Sequence, residues 1–449
     1  MSQAKSLLGI NNRSPIYFGK TVQILGLVFG LFVTLSVSAK EVVNSKAKTG
    51  NPYNFPPFPT ELLSKNQFRS KDKGALNSQV DPLLNQDWGL SDIGFFDSFT
   101  PLVQPIASQV APCSNQIIVA VVDTGIDYTH PDLKESIWVN SGETGPWVPK
   151  DPSSTVCRDK SCNGIDDDGN GFADDVAGWD FVNNQPLPYD THGHGTHISG
   201  IIAAQSSNGL GATGVCPGAS IMPLKYYDSG SNGMNNLQNT VRAIQYAVRM
   251  GAHIINYSGG GAEPASAERA AVEEANRKGV LFVAAAGNDG HNNAISPYYP
   301  ASYPVENIIG VASLNQKNQL LSSSNFGTTV HVAAPGLGIL STVPGGKFGT
   351  MSGTSQATAF VTGAAALLAS QLKGKSAFDI YQIKEWILNG AKPLPSNENK
   401  SLVISGLLSI PGSLAQANKN VSATLAQKKT KSPAIALVPV SKSKKKFQE

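Results

Sequence analysis

The hydrophobic pattern divides the chain into zones of different character. An apolar run from Val22 to Val37 follows a basic stretch ending at Lys20. Residues 40–80 are polar and carry the patch Phe55-Pro56-Pro57-Phe58-Pro59 without a strand or helix period, as expected of a pro-segment or linker. From about 81 to 417, β-branched apolar runs alternate with helical patterns. They predict strands near 117–122, 220–225, 253–257 and 280–285, with helices such as 237–250 and 265–278 between them. Continuously apolar strands are buried on both faces, and strand-helix-strand spacing favours parallel neighbours. The expected fold is α/β, a doubly wound parallel sheet with helices on both faces. Residues 418–449 form a lysine-rich tail ending Lys442-Ser443-Lys444-Lys445-Lys446, expected to be disordered and solvated.

Composition agrees with this zoning. The 449 residues are 41% hydrophobic and 15% charged, with no collagen-like or low-complexity period, which describes a globular protein rather than a fibrous or disordered one. Residues 1–39 carry +3 and residues 418–449 carry +7, so the total of +3 leaves −7 for residues 40–417. A mildly acidic body gives no support for nucleic-acid binding by the main domain, while the basic tail suits acidic surfaces. The first 39 residues read as a signal peptide, because the apolar run is followed by Val37-Ser38-Ala39, a small-residue cleavage site. The protein is expected to be secreted, or periplasmic or membrane-anchored if the segment is not cleaved. Four cysteines suit an oxidising compartment and allow three pairings. Closing the shortest loop costs least, which favours Cys157 with Cys162 and leaves Cys113 to Cys216.

Four segments carry chemistry. Val121-Val122-Asp123-Thr124-Gly125 ends a strand on a carboxylate, where open α/β sheets build their sites, although Asp-Gly is also ordinary turn chemistry. Asp190-Thr191-His192-Gly193-His194-Gly195-Thr196-His197 leads into a small, apolar helical pattern. Its histidines suit either a metal or an imidazole base; the spacing His194 to His197 and the absence of a Glu between them favour the base. Val283-Ala284-Ala285-Ala286-Gly287-Asn288 ends another strand on an amide that can donate to an oxyanion. Gly353-Thr354-Ser355 precedes an Ala-rich helix former, so Ser355 sits where free N–H groups favour negative charge, or else is an ordinary cap.

With these residues in this order the chain resembles the subtilisin-like serine proteases over about 81–417. The resemblance implies a triad of Asp123, His194 and Ser355, with Asn288 and the Ser355 N–H holding the oxyanion. It also implies that Ser258, Gly259 and Gly260 offer backbone to an extended peptide. The family usually has Met after the nucleophile and Pro four residues after it; Gln356 and Ala359 stand here. The implied function is an exported serine endopeptidase acting on polypeptides through an acyl-enzyme. A catalytically silent, calcium-dependent binding protein on the same scaffold and a zinc hydrolase using His192, His194 and His197 are the competing readings. The segment from Asp289 to Pro304 offers one acid, so apolar or aromatic P1 residues are expected. Asp87-Trp88-Gly89-Leu90 resembles the start of mature family members, which implies a zymogen that loses residues 40–80. Finally, residues 163–175 place Asp166, Asp168 and Asn170 at alternate positions, with Asp174 following, a pattern for a structural Ca2+ as in some subtilisin-like proteases.

Overall fold

The protein is described by a computed structural model covering residues 55–63, 80–97, 113–372 except 152 and 212, 379–395 and 403–419. The expected signal peptide, most of the expected pro-segment and the lysine-rich tail lie outside the described residues. Among the described residues no helix is long and apolar enough to cross a membrane.

Eight strands form the central sheet: β1 (Ile118–Asp123), β2 (Trp179–Asp180), β3 (Gln185–Pro186), β4 (Ser220–Lys225), β5 (Ile254–Tyr257), β6 (Leu281–Ala285), β7 (Ile308–Leu314) and β8 (Val332–Pro335). Their order is β3-β2-β4-β1-β5-β6-β7-β8. Every neighbouring pair is parallel except β2 with β3. The sheet is thus doubly wound, as expected, with a short antiparallel edge that the apolar pattern did not foreshadow because each strand there has two residues. A separate hairpin pairs β9 (Ile339–Val343) with β10 (Lys347–Met351).

The strands are apolar on both faces because both faces are covered. Val119, Val121, Ile254, Leu281 and Val283 pack with Ile198 and Ile202 of α2 (His194–Ala203), the helix after the short α1 (Trp88–Asp92), and with Phe360 and Val361 of α5 (Thr354–Leu372). The intervening residues Ala120, Val122, Ile255, Phe282 and Ala284 meet Ile244 and Ala247 of α3 (Gly233–Arg249) and Val272 and Ala275 of α4 (Ser266–Arg277). Each fully buried Val, Leu, Ile or Phe side chain stabilises the fold by about 1.5–3 kcal/mol. Helix α3 begins before the expected 237 because Asn232 caps it, accepting from the Asn235 N–H at 3.0 Å.

Helix α5 is apolar or small on every side and runs through the interior, with Ala357, Ala359, Phe360, Val361, Ala364, Ala365 and Ala366 all buried. It carries Ser355 at its first turn to the carboxyl edge of the sheet. Ala359 continues the helix where a proline would have lacked an N–H. Cys113 pairs with Cys216 and Cys157 with Cys162, with Cα separations of 5.3 and 5.6 Å, the pairing expected from loop closure.

Candidate active site

Asp123 ends β1 and is nearly inaccessible, and the N–H of Thr124 donates to its Oδ1 at 2.8 Å. His194 opens α2 and directs Nδ1 at the same oxygen, 2.7 Å away. Burial alone would lower the imidazole's pKa, but the Asp123 carboxylate outweighs it and holds His194 above its ordinary value. With Nδ1 engaged by the carboxylate, Nε2 remains to exchange protons.

These two elements meet because of Gly195 and Asp190. A Cβ on Gly195 would lie 2.1 Å from the Gly125 carbonyl oxygen, so only glycine lets the first turn of α2 come this close to the end of β1. Asp190 is fully buried beneath them. It accepts from the Thr124 hydroxyl (2.9 Å), the N–H groups of His192 (2.9 Å), Gly193 (2.8 Å) and Thr196 (2.9 Å), and the Thr196 hydroxyl (2.7 Å). The Thr124 hydroxyl in turn accepts from the Gly195 N–H at 2.9 Å. One carboxylate therefore caps α2 and ties its start to the residue after Asp123. Sequence reading missed this role, because Asp190 stands three residues before the N-cap Gly193 and has no cap spacing to announce it.

Ser355 is 7% exposed and its hydroxyl donates to the Ser258 carbonyl at 3.1 Å. Asn288 follows β6 and is exposed, with its Oδ1 accepting from the Thr354 N–H at 2.9 Å and from the Thr354 hydroxyl at 3.2 Å. Fixing the oxygen in this way leaves the amide NH2 to face outward as a donor. Ser258, Gly259 and Gly260 continue beyond β5 as partly exposed backbone. The ring of Tyr298 lies between the segments that follow β5 and β6. A Cβ on Gly260 would meet its Cε1 at 2.5 Å, and one on Gly287 its Cγ at 2.9 Å.

The three histidines do not converge. His197 is buried and turns its Nε2 to the Ile339 carbonyl at 3.0 Å, and burial pushes its pKa down to about 4. His192 is exposed, its ring 6.1 Å from that of Tyr227. A three-histidine metal centre is therefore not assembled.

The acidic insertion forms a second cluster. Oxygens of Glu143, Asp166 and Asp168 lie within 4.8 Å of one another, the metal-competent group found among the described residues. An all-carboxylate oxygen set suits a hard cation such as Ca2+. Glu143 is fully buried, and that burial, with Asp175 nearby, raises its pKa to about 7 despite N–H donation from Asp168, Asp167 and Asp174. Asn170 lies beside this group, donating to Asp168 Oδ2 at 3.2 Å, whereas the Asp174 carboxylate turns to the Gly164 N–H at 3.0 Å. Glu143 had no motif to announce it, since it stands outside the 163–175 run.

A mostly parallel α/β sheet bearing an Asp-His pair at its carboxyl edge, with a serine at a helix N-terminus alongside, defines a hydrolase-like class of architecture. Residues 114–419 match the model of the subtilase family, and the chain belongs to that family. It is 38% identical to the thermophilic serine proteinase of Bacillus sp. (strain AK1) over 60% of this chain and 55% of that protein. It is also 38% identical to thermitase of Thermoactinomyces vulgaris, over 58% of this chain and 77% of thermitase. Subtilisin-like protease 1 of Plasmodium vivax is 33% identical over 78% of this chain and 55% of its own length. The crystal structure of fervidolysin from Fervidobacterium pennivorans, described as a keratinolytic enzyme related to subtilisin, superposes with a TM-score of 0.56 at 28% identity, covering 76% of this chain and 47% of fervidolysin. The chain thus spans about half the length of several relatives it matches.

Proposed function

We propose that the protein is an exported serine endopeptidase that hydrolyses peptide bonds through an acyl-enzyme. The observation that carries this reading is the buried Asp123–His194 pair at 2.7 Å, built at the edge where Ser355 enters. Ser355 Oγ attacks the peptide carbonyl after turning from the Ser258 carbonyl toward His194; such contacts are often loose before substrate binds. His194 Nε2 takes the proton and returns it to the leaving amine, while Asp123 holds the tautomer and stabilises the imidazolium. The Asn288 amide and the Ser355 N–H receive the oxyanion. The exposed backbone at 258–260 supports pairing with an extended peptide. Tyr298, between the two glycine-bearing segments, supports an apolar P1 pocket of limited size; a library profile dominated by Arg or Lys at P1 would overturn this.

Two disulfides support an oxidising compartment and hence export. Calcium held by Glu143, Asp166 and Asp168, with Asn170 adjacent, would add positive charge where the carboxylates converge, beyond Lys160 at 3.9 Å from Asp167 and Arg249 on the Asn170 carbonyl, and would rigidify the insertion. The direct test of the function is hydrolysis of an unstructured protein by purified wild type and by Ser355→Ala. Loss of several orders of magnitude in the variant, with an unchanged fold, is expected; undiminished turnover would refute the assignment.

A further inference from the structure

We propose that Tyr128 and Tyr189 form a docking surface for an extended proline-rich segment, that its occupant is the chain's own residues 55–59, and that residues 55–63 remain on the folded protein after export. The expectation for a pro-segment was removal of this whole stretch.

The segment is built to dock. Three prolines among residues 55–59 fix φ near −65°, and the residue before each is pushed to extended backbone, so little freedom is lost on binding. Extended backbone leaves its carbonyls without internal partners, and the Tyr128 hydroxyl donates to the Pro56 carbonyl at 2.8 Å. Phe55 stacks on Tyr189 with ring centroids 5.3 Å apart, and Phe58 lies against Tyr128 at 5.7 Å. The two tyrosines brace each other edge to face at 5.4 Å. Beyond Pro59 a single helical turn, Thr60–Leu62, drops Leu62 into the main apolar cluster at 2% exposure, among the residues that include Ile126, Tyr128 and Leu133. A tether has no use for a leucine buried in the core. Aromatic surfaces with a hydroxyl donor are the general means of recognising preformed proline-rich strands.

The position of the cradle gives the contact a consequence. Tyr128 lies on the loop that follows Asp123, and Tyr189 immediately precedes Asp190. The two loops are joined by the bridge between Ile126 and Tyr189, with the Ile126 N–H donating to Pro188 O at 2.9 Å. An occupant touching both rings therefore clamps the loops that carry the Asp123–His194 pair.

The test uses the full chain, exported and purified folded. Native mass measurement and N-terminal sequencing should find residues 55–63 present, either continuous with the body or as a peptide released only by denaturant. Folded protein lacking them altogether overturns the proposal. In a second arm, Phe55→Ala/Phe58→Ala should lower the thermal midpoint by several degrees. A synthetic peptide of residues 53–64 should raise the midpoint of that variant and leave wild type, whose cradle is filled, unmoved. An unaltered midpoint in the variant, or a peptide that shifts neither protein or both alike, contradicts it. None of these readouts needs catalysis, so they distinguish failure of this proposal from failure of the peptidase reading.

Discussion

Two sets of carboxylates stand in opposite surroundings in this molecule. At the carboxyl edge of the sheet, Asp190 is surrounded by five donors from Thr124, His192, Gly193 and Thr196, and Asp123 has an imidazole at 2.7 Å. Beside the acidic insertion, Glu143 also accepts N–H groups, yet oxygens of Asp166 and Asp168 lie within 4.8 Å, and its carboxyl is pushed up to about 7 by burial and by the nearby Asp175. The first set faces hydrogen-bond donors, whereas Glu143 faces further carboxylates. The edge is complete within the protein and can be rigid. The insertion gathers carboxylates that a cation could complete, and the proposed calcium would make its order follow the solution.

If this contrast is right, perturbations at the edge should destroy activity and perturbations at the insertion should change stability. The largest effect is expected from Asp123→Asn, which keeps the shape but reverses the hydrogen-bonding preference of His194. It should lower kcat by roughly 10⁴-fold without moving the thermal midpoint by more than a few degrees; full activity would remove Asp123 from the mechanism. Asn288→Ala should lower kcat by about 10²–10³-fold with KM little changed. That magnitude is the one established for subtilisin's own oxyanion amide, so it is a transfer within the family and tests whether this site behaves alike. Asp190→Ala strands two hydroxyls and three N–H groups in the interior and should cost about 3 kcal/mol or more. Its urea midpoint should fall together with kcat/KM, and an unaffected protein would contradict the capping role.

The insertion provides the smaller effects. At free calcium a hundred times its Kd, stabilisation of about 2.7 kcal/mol is expected over protein held in chelator. Asp166→Ala/Asp168→Ala should abolish that difference while sparing turnover at low temperature. A calcium-independent midpoint in wild type would sink the idea. The subtlest effect concerns pH. Burial alone would lower His194, but Asp123 raises it above its ordinary 6.5, and the protonated ring cannot accept the Ser355 proton. Activity should therefore fall as pH drops through a value above 6.5, and an acid limb centred well below it would show that the pair is not coupled as described.

Features that lie in contiguous stretches of chain were legible in the sequence. Apolar runs spaced by helical patterns predicted β1, β4, β5 and β6, and Asp123, His194 and Ser355 stand at element ends in short motifs, with Asn288 three residues beyond β6. What was hidden depends on distant segments meeting. Glu143 joins Asp166 and Asp168 through the path of the chain alone. Asp190 was visible as a residue, but its service to Thr124 follows from the close approach that Gly195 permits. The proline-rich stretch read as a linker because its order comes from Tyr128 and Tyr189 rather than from any period of its own.

The central claim is that Ser355 is an activated nucleophile served by His194. Peptide mapping after treatment with a fluorophosphonate tests it most directly, because the reagent bonds a serine whose proton a neighbouring base accepts. The expected result is one modification per chain, on Ser355, abolished in Ser355→Ala and strongly slowed in His194→Ala. An unlabelled folded protein, or label carried by another serine, would contradict it.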